Sequence, residues 1–305
     1  MITQMNAQWK SGAIVTVLTP TYNRALELNR LWESLCQQTS KQFIWLIVDD
    51  GSSDNTEETV QCFAEQSDFP VIYKKKENGG KHTALNVGIS AAQTPLTFIV
   101  DSDDTLTQDA IEVIVKNHEI YGKETEICGF SFLRKFPNGE INGKPFVKDF
   151  WIETYINSRV NTSDMMSDKA EVYKTGCLRE FPFTEFEGER FLGEDIVWVR
   201  MARKYKTVHI NKAIYVGEYQ TDGLTKNRRR HNLNSPKGCT MRAFEYLQKD
   251  ICLKHRVKAT LQYLIYGRVA KIGYKQLFSK APNKLMCFVL FLPASIIKMW
   301  WSRSV

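Results

Sequence analysis

At 305 residues, with 43% hydrophobic and 25% charged residues, the chain has the size and balance of one large α/β domain, or of one domain with an appendage. That composition excludes a disordered or collagenous chain, and seven scattered cysteines without a CxxC pair argue against a structural zinc site and for free thiols in a reducing cytosol. The net charge of +7 is unevenly placed: Ser235–Val305 carries 13 Lys+Arg against 2 Asp+Glu and the rest carries 28 against 32, so a basic tail suited to an anionic membrane, a nucleic acid or an acidic partner follows a mildly acidic body.

The N-terminal MITQMNAQWKSG has no apolar run, so no secretory signal is expected there. Ala13 to Thr19 is β-branched and apolar and predicts a buried strand; Leu28, Leu31, Trp32 and Leu35 follow at helical spacing. Phe43 to Val48 predicts a second buried strand, running into Asp49-Asp50-Gly51. Asp54 with Glu57 has the spacing of a capping box and predicts a helix through Ala64. Pro70 to Lys74 reads as a third strand, Lys81 to Ala92 as a helix with Ala84, Leu85 and Gly88 near one face, and Leu96 to Val100 as a fourth strand entering Asp101-Ser102-Asp103-Asp104. A helix bearing Ile111, Ile114 and Val115 follows. Beyond Ile120 the pattern is less regular: a strand over Glu126–Leu133, a turn-rich insert over Phe136–Lys148, a helix over Gly193–Lys204, a strand over Thr207–Val216 and a polar loop over Gly217–Ser235. From Cys239 onward the chain is helical, basic and aromatic.

Alternation of strands and helices at this spacing predicts a mostly parallel sheet with helices on both faces, and ligands of such sheets sit beyond the carboxyl ends of the strands. Those ends are Thr19-Pro20-Thr21, Asp49-Asp50-Gly51 and Asp101-Ser102-Asp103, so three segments bring polar, mostly acidic residues to one edge. Asp101 and Asp103, two apart at a strand end, can face the same side and form a hard oxygen site for Mg²⁺ or Mn²⁺; taken alone, the same turn also reads as a solvated cap on the next helix. Glu194-Asp195 opens a helix after Gly193, where a carboxylate can serve either as a general base or as a complement to the helix dipole. A nicotinamide-binding sheet is disfavoured, because Thr-Pro-Thr-Tyr-Asn follows the first strand in place of GxGxxG.

The segments VLTPTYNRALELNRLWESLCQQT, WLIVDDGSSDNT, NGGKHTALNVGI, FIVDSDD and LGEDIVW, in this order and spacing, resemble the family 2 inverting glycosyltransferases of GT-A fold, over residues 13 to about 225. The likeness is nearest to bacterial enzymes that build capsular, exopolysaccharide or O-antigen units. It implies that Thr19, Pro20 and Tyr22 line the nucleotide pocket with Tyr22 near the uracil, that Asp50 accepts a hydrogen bond from the base, and that Lys81 approaches the base or the phosphates. It further implies that Asp101 and Ser102 lie in the nucleotide-sugar site with Asp101 near the ribose, that Asp103 is the principal metal ligand with Asp101 beside it, and that Asp195 is the base with Glu194 next to it. Tyr219–Thr225 (YQTDGLT) resembles the Y-x-x-D-G-L-S/T stretch of the capsule-type members, and the processive QxxRW signature is missing. Transfer of a single hexosyl or N-acetylhexosaminyl unit from a UDP-sugar to a lipid-linked or oligosaccharide acceptor is the expected activity; a catalytically inactive nucleotide-sugar-binding subunit of a polysaccharide-synthesis complex is the alternative. Arg228–Arg230 is expected either to close over the diphosphate as a basic loop or to be a solvated loop.

The division expected is a catalytic domain over 1–235, with its nucleotide half at about 13–120 and its acceptor half at about 121–235, and a helical basic extension over 236–305. Leu285–Ile297 is largely apolar but only 13 residues long, interrupted by Pro293 and followed by Lys298, Trp300 and Trp301. A spanning helix needs about 20 apolar residues. With Lys271, Lys275, Lys280 and Lys284 upstream, the tail reads as a peripheral anchor on the anionic inner face of the cell membrane, in a cytoplasmic protein, the alternative being a helix packed onto the catalytic domain; no nucleic acid is expected.

Overall fold

The structure is a computed structural model that describes residues 12–162, 167–217 and 228–301. Its first half alternates as the sequence predicts: β1 (Val15–Thr21), α1 (Glu27–Cys36), β2 (Phe43–Asp49), α2 (Thr56–Gln66), β3 (Val71–Lys75), α3 (Lys81–Ala91) and β4 (Leu96–Ile99). These strands pair in parallel in the order β3-β2-β1-β4. The chain winds outward from β1 in one direction, then returns to place β4 on its other side. The cleft between the carboxyl ends of β1 and β4 is therefore the topological switch point, where α/β sheets bind their ligands.

The second half is mixed. After β5 (Thr105–Leu106) and α4 (Ala110–Tyr121) come β6 (Ile127–Lys135), β7 (Trp151–Glu153), a π-helical turn over Ile156–Val160, β8 (Lys169–Lys174), α5 (Thr175–Glu180), α6 (Asp195–Met201) and β9 (Lys206–Val216). β8 lies antiparallel between β4 and β6, β9 runs parallel to β6, and β5 and β7 pair antiparallel with β9. Four further helices complete the chain, after α7 (Arg228–Asn234): α8 (Pro236–Glu245), α9 (Leu253–Val269), α10 (Tyr274–Lys280) and α11 (Lys284–Trp301).

Both faces of the sheet are covered. One face joins Val15, Val17, Trp45 and Ile47 to the apolar stripes of α1, α2 and α4; Leu28, Leu31 and Leu35 of α1 are fully buried. The other joins Leu18, Ile44, Leu46 and Val48 to α3, α5 and α6. A third cluster holds α8–α11 together and includes Val199 and Ala202 from the α6 region, so the C-terminal helices share a core with the body.

Two local expectations are corrected. The Asp54–Glu57 capping box does not form: Asp54 accepts from the amide and hydroxyl of Thr56 and from the amide of Ala25, while Glu57 pairs with Lys75. Asp54 thus ties the α1 and α2 entry loops together. Within the stretch expected to be a loop, Arg228–Asn234 is helical; Tyr219–Thr225 lies outside the described residues.

α3 approaches the sheet closely at Gly88, where an added Cβ would stand 2.2 Å from Leu18 Cδ1 and 2.8 Å from Cδ2. Leu18 is fully buried and has no room to give. Gly88→Val is expected to lose about 1–3 kcal/mol by overpacking. The measurement is the urea midpoint at unchanged slope; a midpoint equal to the wild type's would refute the tight approach.

Candidate active site

An open cavity of about 1250 Å³ lies over the switch point and extends to the C-terminal helices. Its first wall comes from the turns that follow the parallel strands. Pro20 and Thr21 end β1 and half-exposed Tyr22 follows it, Asp50 follows β2, and Asp101, Ser102, Asp103 and Asp104 follow β4. Thr19, expected here, is turned away. It lies on the Val15–Val17 face of the strand by the two-residue period, is fully buried, and its hydroxyl accepts from Trp45 Nε1 at 3.0 Å.

Asp50 is nearly completely buried and organises the loop before α3. Its Oδ1 accepts from Lys76 Nζ at 2.8 Å and from the Gly79 amide at 2.9 Å, and its Oδ2 accepts from the Gly80 amide at 2.7 Å. A base N–H would be a fourth donor to this carboxylate. Gly80 is required twice over: its φ is +95°, and a Cβ there would stand 2.0 Å from the Arg190 carbonyl oxygen. This turn delivers Lys81, the first residue of α3, into the cavity.

Lys81 Nζ is 2.5 Å from Asp101 Oδ1 and 2.6 Å from Glu194 Oε1. Burial works against its charge, but the two carboxylates outweigh it and hold the ammonium above the ordinary lysine value. For Asp101, burial opposes ionisation, yet Lys81 and then Arg134 keep its carboxyl below the ordinary range. Asp103 differs. Burial and the neighbouring Asp101 push its pKa up against its own backbone amide and the charges of Arg24 and Lys81, and no ion pair holds its side chain among the described residues. Asp104 is inward-facing: its Oδ2 accepts from Tyr215 Oη at 2.6 Å and from Arg134 at 2.9 Å, and burial pushes it up to about 6 against the pull of Arg134. The Tyr215 hydroxyl also takes the Asp101 amide at 3.0 Å, so β9 fixes the acidic turn from below.

The opposite wall carries Glu194 and Asp195 at the start of α6. Asp195 is gripped by Arg242 of α8 and by Tyr246, which follows it. β8 adds Glu171, which burial pushes up to about 7 against nearby Arg159. Sequence patterns missed Asp104, Arg134, Tyr215, Glu171, Arg242 and Tyr246. For Asp104 a signal existed, since it ends the same acidic run; the others stand alone in irregular stretches.

The donor set fits a divalent cation in part. Asp103 is a carboxylate outside any ion pair among the described residues, its pKa raised first by burial and then by Asp101, and hard oxygen ligands suit Mg²⁺ or Mn²⁺. Asp101 is already bonded to Lys81, and no group of three His, Cys, Asp or Glu side chains forms a metal cage among the described residues. A cation here would need oxygens from a ligand as well.

Residues 16–166 match the model of glycosyl transferase family 2. The chain belongs to glycosyl transferase family 2. It is 26% identical over 214 residues to the glycosyltransferase GlyG of Streptococcus pneumoniae, covering 67% of this chain and 70% of the relative. It is 27% identical over 230 residues to the GalNAc(5)-diNAcBac-PP-undecaprenol beta-1,3-glucosyltransferase of Campylobacter jejuni, covering 70% and 69%. The S. aureus TarS 1–349 structure in complex with UDP-GlcNAc superposes with a TM-score of 0.62 at 20% identity, over 88% of this chain and 82% of that one. The mixed α/β architecture is thus a GT-A-like fold with a helical C-terminal region.

In this glycosyltransferase the Lys81 bridge has a signed pH dependence. A raised lysine contributes stability from acid upward, lost only as pH climbs through its elevated folded value. A depressed Asp101 contributes above the unfolded carboxylate value of about 4 and loses its share as pH falls through its folded value. Lys81→Gln is therefore expected to be destabilised at pH 7 and to recover much of the deficit below about pH 4. With the three side chains 30, 35 and 29% exposed, the deficit is discounted from the buried-pair value to on the order of 1–2 kcal/mol. Thermal unfolding of both proteins between about pH 3 and 8 is the check; a pH-independent deficit would rule the bridge out.

Proposed function

We propose that this chain transfers a single hexosyl or N-acetylhexosaminyl unit, with inversion, from a UDP-sugar to a lipid-linked or saccharide acceptor in bacterial surface polysaccharide synthesis. The observation that carries this reading is the meeting, in one cavity, of the acidic switch-point turn and the Glu194–Asp195 pair on the facing wall. Tyr22 offers a ring for the uracil, and Pro20 and Ser102 border the nucleotide. Asp103, with Asp101 beside it, would hold Mg²⁺ or Mn²⁺ together with the diphosphate oxygens. Bound there, the cation offsets the negative charge of the departing diphosphate.

In the proposed step the acceptor oxygen bonds to the anomeric carbon as its proton passes to Asp195. The bond from that carbon to the diphosphate oxygen breaks on the opposite face, and the electron pair leaves with UDP. Glu194, held by Lys81, lies beside the reacting centre, where positive charge develops on the sugar. An inactive binding subunit is disfavoured, since such a subunit has no use for an oriented carboxylate opposite the diphosphate site.

The C-terminal helices support a setting on the inner face of the membrane. One stripe of α11, with Cys287, Leu290, Ala294, Ile297 and Trp301, packs against the neighbouring helices. The other stripe, Leu285, Phe288, Val289, Leu292, Ile296 and Met299, is apolar and each member is more than half exposed. Lys271, Lys275, Lys280 and Lys284 are exposed nearby in the chain. Among the described residues no helix is long and apolar enough to cross a membrane. α11 suits shallow insertion into an anionic leaflet, and its last residue, Trp301, also lines the cavity, so a lipid-linked acceptor on that leaflet would have a short path to the site.

Asp103→Ala is expected to lose Mn²⁺-dependent UDP binding, and Asp195→Asn to keep UDP binding while sugar transfer falls at least about a hundredfold. Titration calorimetry with UDP and Mn²⁺, together with UDP release from a panel of UDP-sugars with GDP- and dTDP-sugar controls, reads both. Wild-type transfer in Asp195→Asn would falsify the base assignment. Replacing Leu285, Phe288, Leu292 and Ile296 with Ser is expected to lower binding to phosphatidylglycerol-containing vesicles about a hundredfold. Equal co-flotation of the two proteins would sink the membrane reading.

A further inference from the structure

Asp195 is held by two residues from beyond the strand-and-helix body. Arg242 Nε stands 2.7 Å from Asp195 Oδ1 and 2.9 Å from Oδ2, its Nη2 stands 2.5 Å from Oδ2, and the Tyr246 hydroxyl donates to Oδ2 at 2.5 Å. The guanidinium lies 4.9 Å from the Tyr246 ring centroid, so the two gripping groups also brace each other. Tyr246 is buried and Arg242 part-buried, and the negative carboxylate overcomes the burial that opposes the charge of Arg242, leaving it above even the ordinary arginine value.

The helix that carries this grip is anchored at both ends to the segment that carries the carboxylates. At its start, Glu189 accepts from the amides of Lys237 and Gly238, each at 2.8 Å, which satisfies two open helix-end donors. At its end, Glu245 takes Arg200 at 2.8 Å and also Arg203, and Arg203 reaches Asp250 at 2.9 Å. Arg200 and Glu189 flank Glu194–Asp195 in sequence, so displacement of α8 would displace the carboxylates with it. Space confirms the fit: a Cβ on Gly193 would stand 2.7 Å from Asp195 Oδ1 and 3.3 Å from Arg242 Nε.

We propose that Arg242 and Tyr246 are positioning residues for the proton-accepting carboxylate, so that the C-terminal helical segment completes the active site. The proposal rests on the reading of Asp195 as the base. A guanidinium fork matches a carboxylate plane in two bonds at once, which fixes the plane as well as the distance; a lysine supplies charge without that fork. The grip restrains Asp195 to one orientation and favours its ionised, proton-accepting form. The other charged or titratable groups facing this pair are Glu194 with its partner Lys81, Glu171 on β8, Tyr155 before the π-helical turn and Cys239 on α8. None of these is changed by substitution at 242 or 246.

The test uses the full chain and UDP release from the best substrate among UDP-glucose, UDP-galactose and UDP-N-acetylglucosamine, followed across pH, with UDP–Mn²⁺ affinity measured in parallel. Arg242→Lys is expected to keep UDP affinity within about twofold and to lose on the order of 100-fold in kcat, since misplacement of a reacting group by about 1 Å has that effect. Arg242→Gln is expected in addition to move the acid limb of kcat/KM to higher pH, because the cation that favours the carboxylate is gone. Gly193→Ala, which crowds Asp195 without altering any charge, is expected to lower kcat with the acid limb unmoved. An Arg242→Gln protein that is folded, binds UDP and retains wild-type kcat and acid limb overturns the proposal. Should Arg242→Gln fail to fold, Arg242→Lys and Tyr246→Phe carry the same test, and wild-type kcat in both overturns it. Activity retained in Asp195→Asn refutes the base assignment itself; an inactive Asp195→Asn beside wild-type-like Arg242 variants refutes the grip alone.

Discussion

The ammonium of Lys81, bonded at once to Asp101 and Glu194, is the contact on which the rest of the site depends. Asp101 belongs to the turn after the fourth parallel strand, and Glu194 to the entry of a helix almost a hundred residues later. Without a cation between them the two carboxylates would repel across a partly desolvated gap. With it, the nucleotide half and the facing half of the cavity are held at a fixed separation. Much of the surrounding sequence serves to put that ammonium there. The Gly79–Gly80 turn is cinched by buried Asp50, Gly80 passes under the Arg190 carbonyl, and Gly88 lets α3 lie close enough to the sheet for its first residue to reach the switch point.

Charge in the acidic turn is partitioned among its three aspartates by their neighbours. Asp101 is satisfied by Lys81, and Asp104 by Arg134 and Tyr215. Asp103 sets burial and repulsion from Asp101 against its own amide and the charges of Arg24 and Lys81, and it forms no ion pair among the described residues. One turn therefore contains two carboxylates in ion pairs and one in none among the described residues. Under the proposed reaction this division has a use: the carboxylate outside the ion pairs is the one suited to meet a cation arriving with the donor, while the other two keep the turn in place whether or not the donor is bound.

The parallel half of the fold was legible because its strands are short, β-branched and bounded by turn residues, and because the spacing of their polar ends already implied one ligand edge. The same alternation puts the Thr19 side chain on the face of the core positions Val15 and Val17, where Trp45 takes up its hydroxyl. β8 was not legible. Lys169, Glu171 and Lys174 give KAEVYK the look of a loop, yet it is a central strand whose charged residues are tolerated through specific surroundings. Lys169, for example, donates to the carbonyl oxygens of Asn142 and Lys144 and to Ser167 Oγ. Burial of a charge in a central strand can be read only once its carbonyl acceptors, 25 and 27 residues away, are brought beside it.

The grip on Asp195 was illegible for a related reason, and it bears on where the enzyme ends. Arg242 is 47 residues from its carboxylate, on a helix whose composition marks it as part of a basic tail. Charge counting assigns such an arginine to a membrane or a polyanion, because composition cannot distinguish a solvated cation from a buried one. In the structure the tail divides by burial. Arg242 and Tyr246 face inward and bond across the 235/236 boundary, whereas the lysines of the last helices and the outer stripe of α11 face outward. α8 thus belongs with the catalytic body and α11 with its surroundings, while α9 and α10 join them through one core. A force on α11, such as insertion into a leaflet, would reach α8 and Asp195 through packed side chains and ion pairs. On the proposed reading, the surface that would meet the membrane and the carboxylate that would take the acceptor's proton are thereby parts of one helical assembly.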